Sequence, residues 1–131
     1  MREARPGLPW SLGRARVRAA YQDYMDSPAW RACRSAWQAE WIARYGAEPA
    51  CLACGQTWTL RHGDLHHASY DRLGTETFTD LLPLCRADHA ALHDLWDASP
   101  EWRRLGRPAA SIGIIAVLRR HRDTQLSRNA S

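Results

Sequence analysis

Leu65-His66-His67-Ala68-Ser69-Tyr70-Asp71-Arg72-Leu73-Gly74-Thr75-Glu76, followed by Asp80-Leu81-Leu82-Pro83-Leu84-Cys85-Arg86-Ala87-Asp88-His89 and then His93, holds most of the chemistry of this chain. Four of the six histidines fall here in two tight pairs. Short strands are expected at 58–61, 65–68 and 81–84, and a helix over 86–98. His89 and His93 stand four apart on that helix, so they share a face and can grip one ion together. His66 and His67 are neighbours. On a strand, neighbours point to opposite faces, although at a twisted or bulged strand end both can border one cleft. No HExxH metalloprotease motif, Walker phosphate loop or GxSxG nucleophile elbow competes with this pattern.

Just upstream lies Cys51-x2-Cys54, and Cys85 is followed at the same spacing by Asp88. A Cys-x2-Cys turn brings two thiolates onto one tetrahedral ion, and a second pair completes four ligands for a structural zinc. Here the fourth place falls to a carboxylate, which zinc also accepts. Asp88 would also be favoured by the dipole of the 86–98 helix, and His62 or water are the alternatives for the fourth place. A redox role would want a helix opening at Cys51-x2-Cys54, and haem attachment would want His at position 55, which is Gly. Cys33 belongs elsewhere, on a tryptophan stripe.

That stripe is Trp30, Cys33, Trp37 and Trp41, at steps of three, four and four, on a helix expected from Pro28 to Tyr45. Ser27-Pro28 is a cap with proline at the first helical position, and Gly46 is the stop. Arg31, Arg34 and Gln38 lie on its other side, read as solvated in preference to a DNA contact. An earlier helix is expected over 14–25. Ser99-Pro100 repeats the start device, Gly106 and Pro108 close that short helix, and a last helix should run over 111–126. There Arg119, Arg120 and Arg122 either meet phosphate or are solvated. The resulting plan is a flexible arm at 1–13, one domain over 14–126 (helical part 14–46, core 51–98, terminal helices 100–126), and a tail at 127–131.

A chain of 131 residues fits one domain whose thin core would gain from a metal. The net charge of +4 is carried by 18 basic residues, all arginine, whose planar fork suits phosphate oxygens. The most apolar stretch, Ile112 to Leu118, is too short to span a bilayer, and the first ten residues lack the apolar core of a secretory signal. The expectation is therefore an intracellular protein with no membrane partner, in which cysteines serve as ligands or core.

Taken together, these residues resemble the HNH endonuclease family, in the form common in phage and bacterial genomes that carries a Cys-x2-Cys zinc site. The likeness covers about 45 residues strongly and about 20 more weakly, through the Cys-x2-Cys turn and the Ser27-Pro28-x-Trp30 helix. It implies an α+β fold: a small ββα-metal core with a zinc knuckle and flanking helices. It implies cytoplasmic DNA hydrolysis in a bacterial or phage-infected cell. His67 is similar to the family's general base, His66 and His89 to its metal ligands, and His93 to the third ligand of some members. Asp80 stands where the family often has Asn, bracing the loop behind the base, and its charge would raise the pKa of His67. The implied cofactors are a structural zinc (Cys51, Cys54, Cys85, Asp88) and one catalytic divalent ion. Three imidazoles suit nickel, cobalt, manganese or zinc better than magnesium. The implied partner is DNA, held mainly through its backbone; oligomeric state and target sequence are left open. Arg72, in the 69–79 loop, is the expected phosphate contact, or else a surface arginine braced by Glu76. The competing class is a non-catalytic, zinc-stabilised nucleic-acid-binding module of the same fold. A third reading has the histidines merely scattered on a surface, and their paired spacing argues against it.

Overall fold

The computed structural model describes residues 10–130, with side chains from 15 onward. Helices α1 (Trp10–Met25) and α2 (Pro28–Tyr45) precede a loop and the strand β1 (Gly63–His67). A 3₁₀ turn (Phe78–Asp80) leads into β2 (Leu81–Cys85), then α3 (Arg86–Ala98), α4 (Pro100–Arg104) and α5 (Arg107–Ala130). The described residues form an α+β fold: one two-stranded antiparallel hairpin among five helices.

The start and stop of α2 follow from local chemistry. Ser27 Oγ accepts from the Trp30 N–H at 3.2 Å, and Pro28 sits where no N–H is needed. Gly46 turns left-handed at φ 70°, and its N–H closes on the Ile42 carbonyl at 2.8 Å. The tryptophan stripe packs as its spacing predicts. Trp30 and Trp37 are buried with Trp58, Leu65 and Leu81, and Cys33 and Trp41 lie at the edge of the same cluster. Arg34 departs from the solvated reading: it donates to the Leu60 and Gly63 carbonyls at 2.9 and 2.7 Å and pins the loop ahead of β1.

The hairpin register pairs Leu65 with Pro83, His66 with Leu82 and His67 with Leu81. Leu65 and Leu81 face the α2 cluster, whereas Leu82 and Leu84 face a second cluster with Leu92 of α3 and Ile114 and Ile115 of α5. The hairpin is thus packed on both faces, α2 on one and α3 with α5 on the other.

Three boundaries differ from the sequence reading. No strand forms at 58–61: Ala50 bridges Thr57, and the chain then turns back on Thr59, whose carbonyl accepts from Gly63. Helix α1 begins at Trp10, inside the segment expected to be a flexible arm; the rest of that arm, residues 1–9, lies outside the described residues. Helix α5 starts at Arg107 and continues to Ala130, through most of the expected tail. Pro108 reads locally as a helix stop, but at the second position of a helix its missing N–H costs nothing. No helix among the described residues is long and apolar enough to cross a membrane.

Candidate functional site

Among the described residues, two groups of side chains could hold a metal ion: Cys51, Cys54, Cys85 with Asp88, and His66, His89 with His93. Within each group the donor atoms lie within 4.8 Å of one another.

The cysteine group joins three parts of the chain. Cys51 and Cys54 sit on a turn closed by bonds from Cys51 N to the Gln56 carbonyl and from Gly55 N to the Cys51 carbonyl, at 2.8 and 2.9 Å. Cys85 caps α3, with its sulfur 3.4 Å from the Asp88 nitrogen. Cys54 Sγ and Cys85 Sγ are 3.9 Å apart, and Asp88 Oδ2 lies 3.3 Å from Cys51 Sγ and 3.2 Å from Cys85 Sγ. Zinc–sulfur bonds of about 2.3 Å in a tetrahedron put sulfurs about 3.8 Å apart, so the donor set fits zinc. Asp88 therefore sits where the fourth ligand belongs, while His62 is exposed outside the group. Its other oxygen, Oδ1, accepts from Arg122 Nη2 at 3.0 Å, which ties α5 to the group. Burial pushes the Cys85 thiol up to about 12, so an ion binding there must displace its proton.

The histidine group is built by β1 and α3. His66 Nδ1 lies 3.3 Å from His89 Nε2, and His93 Nε2 lies 3.2 Å from the same atom. Nitrogens bonded at about 2.0–2.1 Å to one tetrahedral ion stand about 3.3 Å apart, so this set also fits. The remaining ring nitrogens are oriented from behind. His89 Nδ1 is 3.0 Å from Asp64 Oδ2, and His66 Nε2 is 2.8 Å from Ser111 Oγ on α5. The bond to His89 holds the Asp64 carboxyl below its ordinary value. An ionised carboxylate only accepts, so His89 Nδ1 carries the proton and Nε2 keeps its lone pair for a metal. Burial, with Arg107 and the neighbouring imidazoles adding to it, pushes His66 down to about 2. At neutral pH it therefore offers a lone pair rather than a charge.

His67 faces the other way. β1 has no bulge, so strand alternation sends His66 toward α3 and α5 and His67 toward α2. His67 is 2% exposed, with Trp30 stacked on its ring at 5.0 Å and Tyr70 at 5.3 Å. Its Nε2 lies 2.8 Å from Glu76 Oε2. The Glu76 side chain is fully buried and also accepts from Tyr24 Oη at 2.6 Å and from the Gly74 N–H at 2.9 Å. Burial pushes the Glu76 carboxyl up, but the bonds from Tyr24 and His67 outweigh it and hold it below the ordinary carboxylate value. Burial also lowers the pKa of His67, outweighing the pull of Glu76. The pair is thus a neutral imidazole donating Nε2–H to a carboxylate.

Two expectations need adjusting. The charge of Asp80 does raise the pKa of His67, but burial outweighs it, and the carboxylate bonded to the ring is that of Glu76. Arg72 is braced by Asp80 rather than Glu76: its Nε and Nη2 both bind the Asp80 carboxylate, with Nε to Oδ2 at 2.8 Å. Asp80 also accepts from the Thr77 N–H at 2.8 Å, and its carbonyl accepts from the Ala68 N–H at 2.8 Å. It braces the loop after His67, as expected, but from its own ion pair. Four residues had no assigned role in the site. Asp64 could have been found, since it stands two before His66 and so shares its strand face. Glu76, Ser111 and Arg107 come from elements whose approach to β1 leaves no local signal. Arg107, the first residue of α5, donates from Nε to the His67 carbonyl at 2.7 Å and from Nη2 to Tyr70 Oη at 2.9 Å. No family model, curated protein or solved structure matches the chain.

Proposed function

We propose that the chain is a metal-dependent endonuclease of the HNH type that hydrolyses DNA phosphodiester bonds, with His67 as general base. The observation that carries this reading is the pair of arrangements on either side of one short strand: three convergent imidazole nitrogens from β1 and α3 on one face, and a neutral histidine backed by a buried carboxylate on the other. Buried ionisable groups are costly, and a hydrophobic isostere of the His67–Glu76 pair would pack at less expense, so a purely structural role explains it poorly.

His66, His89 and His93 would hold a divalent ion, which would neutralise the phosphate and stabilise the leaving 3′ oxygen. The other groups act on their own account. Glu76 accepts the hydrogen bond from His67 Nε2–H, leaving the Nδ1 lone pair to accept a proton from the attacking water. Trp30 fixes the plane of that ring. Asp80 and Arg72 hold the 69–80 loop in place behind it. Cys51, Cys54, Cys85 and Asp88 would hold a structural zinc that pins the knuckle to β2, α3 and α5. The arginine-only basic complement suits the DNA backbone.

The test is plasmid cleavage across a series of magnesium, manganese, nickel, cobalt and zinc, comparing the parent with His67→Ala, His89→Ala and His121→Ala. His67→Ala should lose most cleavage, by about 10²- to 10⁴-fold, with zinc content and DNA affinity unchanged. His89→Ala should also lose cleavage and bind the second metal weakly, while His121→Ala should behave as the parent. Folded His67→Ala protein that cuts DNA near the parent rate would sink the reading and favour a non-catalytic binding module.

A further inference from the structure

The two candidate metal groups differ in charge. With its thiols deprotonated, the cysteine group brings three thiolates and a carboxylate, which saturate a divalent ion both in valence and in coordination. The histidine group brings three neutral rings. A divalent ion held there would keep its full charge, and a further cation stands beside it: Arg107. Its guanidinium is anchored on the carbonyl of His67, the residue that follows His66. Asp64, the carboxylate bonded to the group, is already engaged by His89 at 3.0 Å and by Arg86 at 3.7 Å. The group is thus built to be completed by an anion.

Geometry says which side chain meets that anion. Arg107 and Ser111 are one turn apart on the same face of α5. Ser111 touches the metal-side histidine, His66, at 2.8 Å, while Arg107 touches the backbone of His67 at 2.7 Å. The guanidinium lies over the Tyr70 ring at 4.1 Å, which fixes its plane. These bonds use two of its five N–H donors and leave a planar edge for a second partner. Arg72, by contrast, has its fork closed on both oxygens of Asp80.

We propose that Arg107 is the residue that grips the scissile phosphate, holding it beside the three-histidine group at the end of β1. The inference rests on the nuclease reading and names the anchor of the same site.

The experiment uses the full chain and a 12-base-pair duplex, with no divalent ion added so that binding is not confounded by cutting. Affinity is measured from 50 to 400 mM salt for the parent, Arg107→Gln, Arg107→Lys and the exposed control Arg104→Gln. One lost phosphate contact should make the slope of log affinity against log salt shallower by about 0.9. Arg107→Gln should show that change, while Arg107→Lys and Arg104→Gln keep the parent slope. With metal added, kcat/KM should fall on the order of 10- to 100-fold in Arg107→Gln, and guanidinium ion in the buffer should restore part of it. A folded Arg107→Gln protein with parental slope and parental cleavage overturns the proposal. If Arg107→Gln does not fold, Arg107→Lys decides: loss of the bidentate fork should cut cleavage at least tenfold, and parental cleavage in that variant overturns it. A parent chain that neither binds nor cuts DNA under any metal defeats the nuclease reading itself. Cleavage that needs His67 but ignores Arg107 defeats only this inference.

Discussion

Asp64→Asn tests the histidine group without touching a ligand. In the folded chain Asp64 Oδ2 accepts from His89 Nδ1 at 3.0 Å, which keeps the lone pair on Nε2, 3.3 Å from His66 Nδ1 and 3.2 Å from His93 Nε2. Asparagine is isosteric but neutral, and it can turn its amide N–H toward Nδ1, which favours the wrong tautomer. Changes to such outer partners cost about 10- to 100-fold in metal affinity. The Asp64 and His89 side chains are 33% and 24% exposed, so water screens part of the interaction and the loss should lie near the lower end, about tenfold or about 1.4 kcal/mol. The assay is calorimetric titration with nickel after the zinc content has been brought to one per chain. Zinc content should not change, because Asp64 is not among the atoms of the cysteine group. An affinity within twofold of the parent would refute the tautomer argument. An equal lack of effect in His89→Ala would refute the metal site altogether.

Cys51→Ser should leave the purified chain without its zinc and lower its melting temperature by well over 10 °C, because metal-binding free energies of about 10–16 kcal/mol match or exceed the net stability of a small domain; elemental analysis and a thermal melt check this, and a zinc-free parent would contradict it. Gly63→Ala should destabilise by about 2–4 kcal/mol through overpacking and a broken bond, since a Cβ there would overlap the buried Trp58 indole, whose Nε1–H donates to the Asp64 carbonyl at 2.7 Å; urea unfolding measures it, and an unchanged midpoint would contradict it. Asp80 gives a pH dependence. The Arg72 guanidinium and the Thr77 N–H hold its carboxyl well below the usual range, so its contribution is complete above the unfolded value of about 3.9 and is lost as pH falls below it. Parent stability should therefore drop more steeply than that of Asp80→Asn between about pH 5 and pH 2, and parallel curves from acid denaturation would refute it.

What the sequence revealed was what local spacing encodes. The ends of α2 were legible because Ser27, Pro28 and Gly46 act within one turn of themselves. The extent of α3 was legible because its apolar residues, Leu92, Leu95 and Trp96, repeat at helical spacing. The cysteine group was legible because two short turns supply its four donors, and the structure brings those four together. The support of each histidine was not legible. Ser111 lies 45 residues from His66, and Arg107 lies 40 from His67. Only the packing of α5 along the hairpin joins them, and Pro108 disguised where α5 begins. Glu76 stands nine residues after His67 in a loop, where Asp80 and Glu76 are equal claimants by composition. Arg72 separates them, because its fork takes Asp80 and leaves Glu76 to turn inward.

The opposite facing of His66 and His67 bears directly on how the site would work. A general base that shared the metal ligands' face would compete with them for the ion, since a neutral imidazole is a ligand as readily as it is a base. Strand alternation prevents this at no cost: one residue of register sends His66 toward His89 and His93, and His67 into a pocket of Trp30, Tyr70 and Glu76. The separation then has to be bridged for both groups to act on one phosphate. His67 is the last residue of β1, where the strand gives way to the loop, and Arg107 reaches its carbonyl from the helix that also carries Ser111 to His66. Helix α5 is therefore the element that spans the two faces. It is also tied to the cysteine group through Arg122 and Asp88. On this argument Arg122→Ala, more than 20 Å along α5 from Arg107 at 1.5 Å per residue, should loosen the far end of the helix that aligns the site. Hydrogen exchange along α5 would show it: protection should fall around Arg122 first and, if the helix moves as one rod, at Ser111 as well. Loss confined to the last two turns would mean that the packing of Ala110, Ile114 and Ile115 holds the site end of the helix by itself.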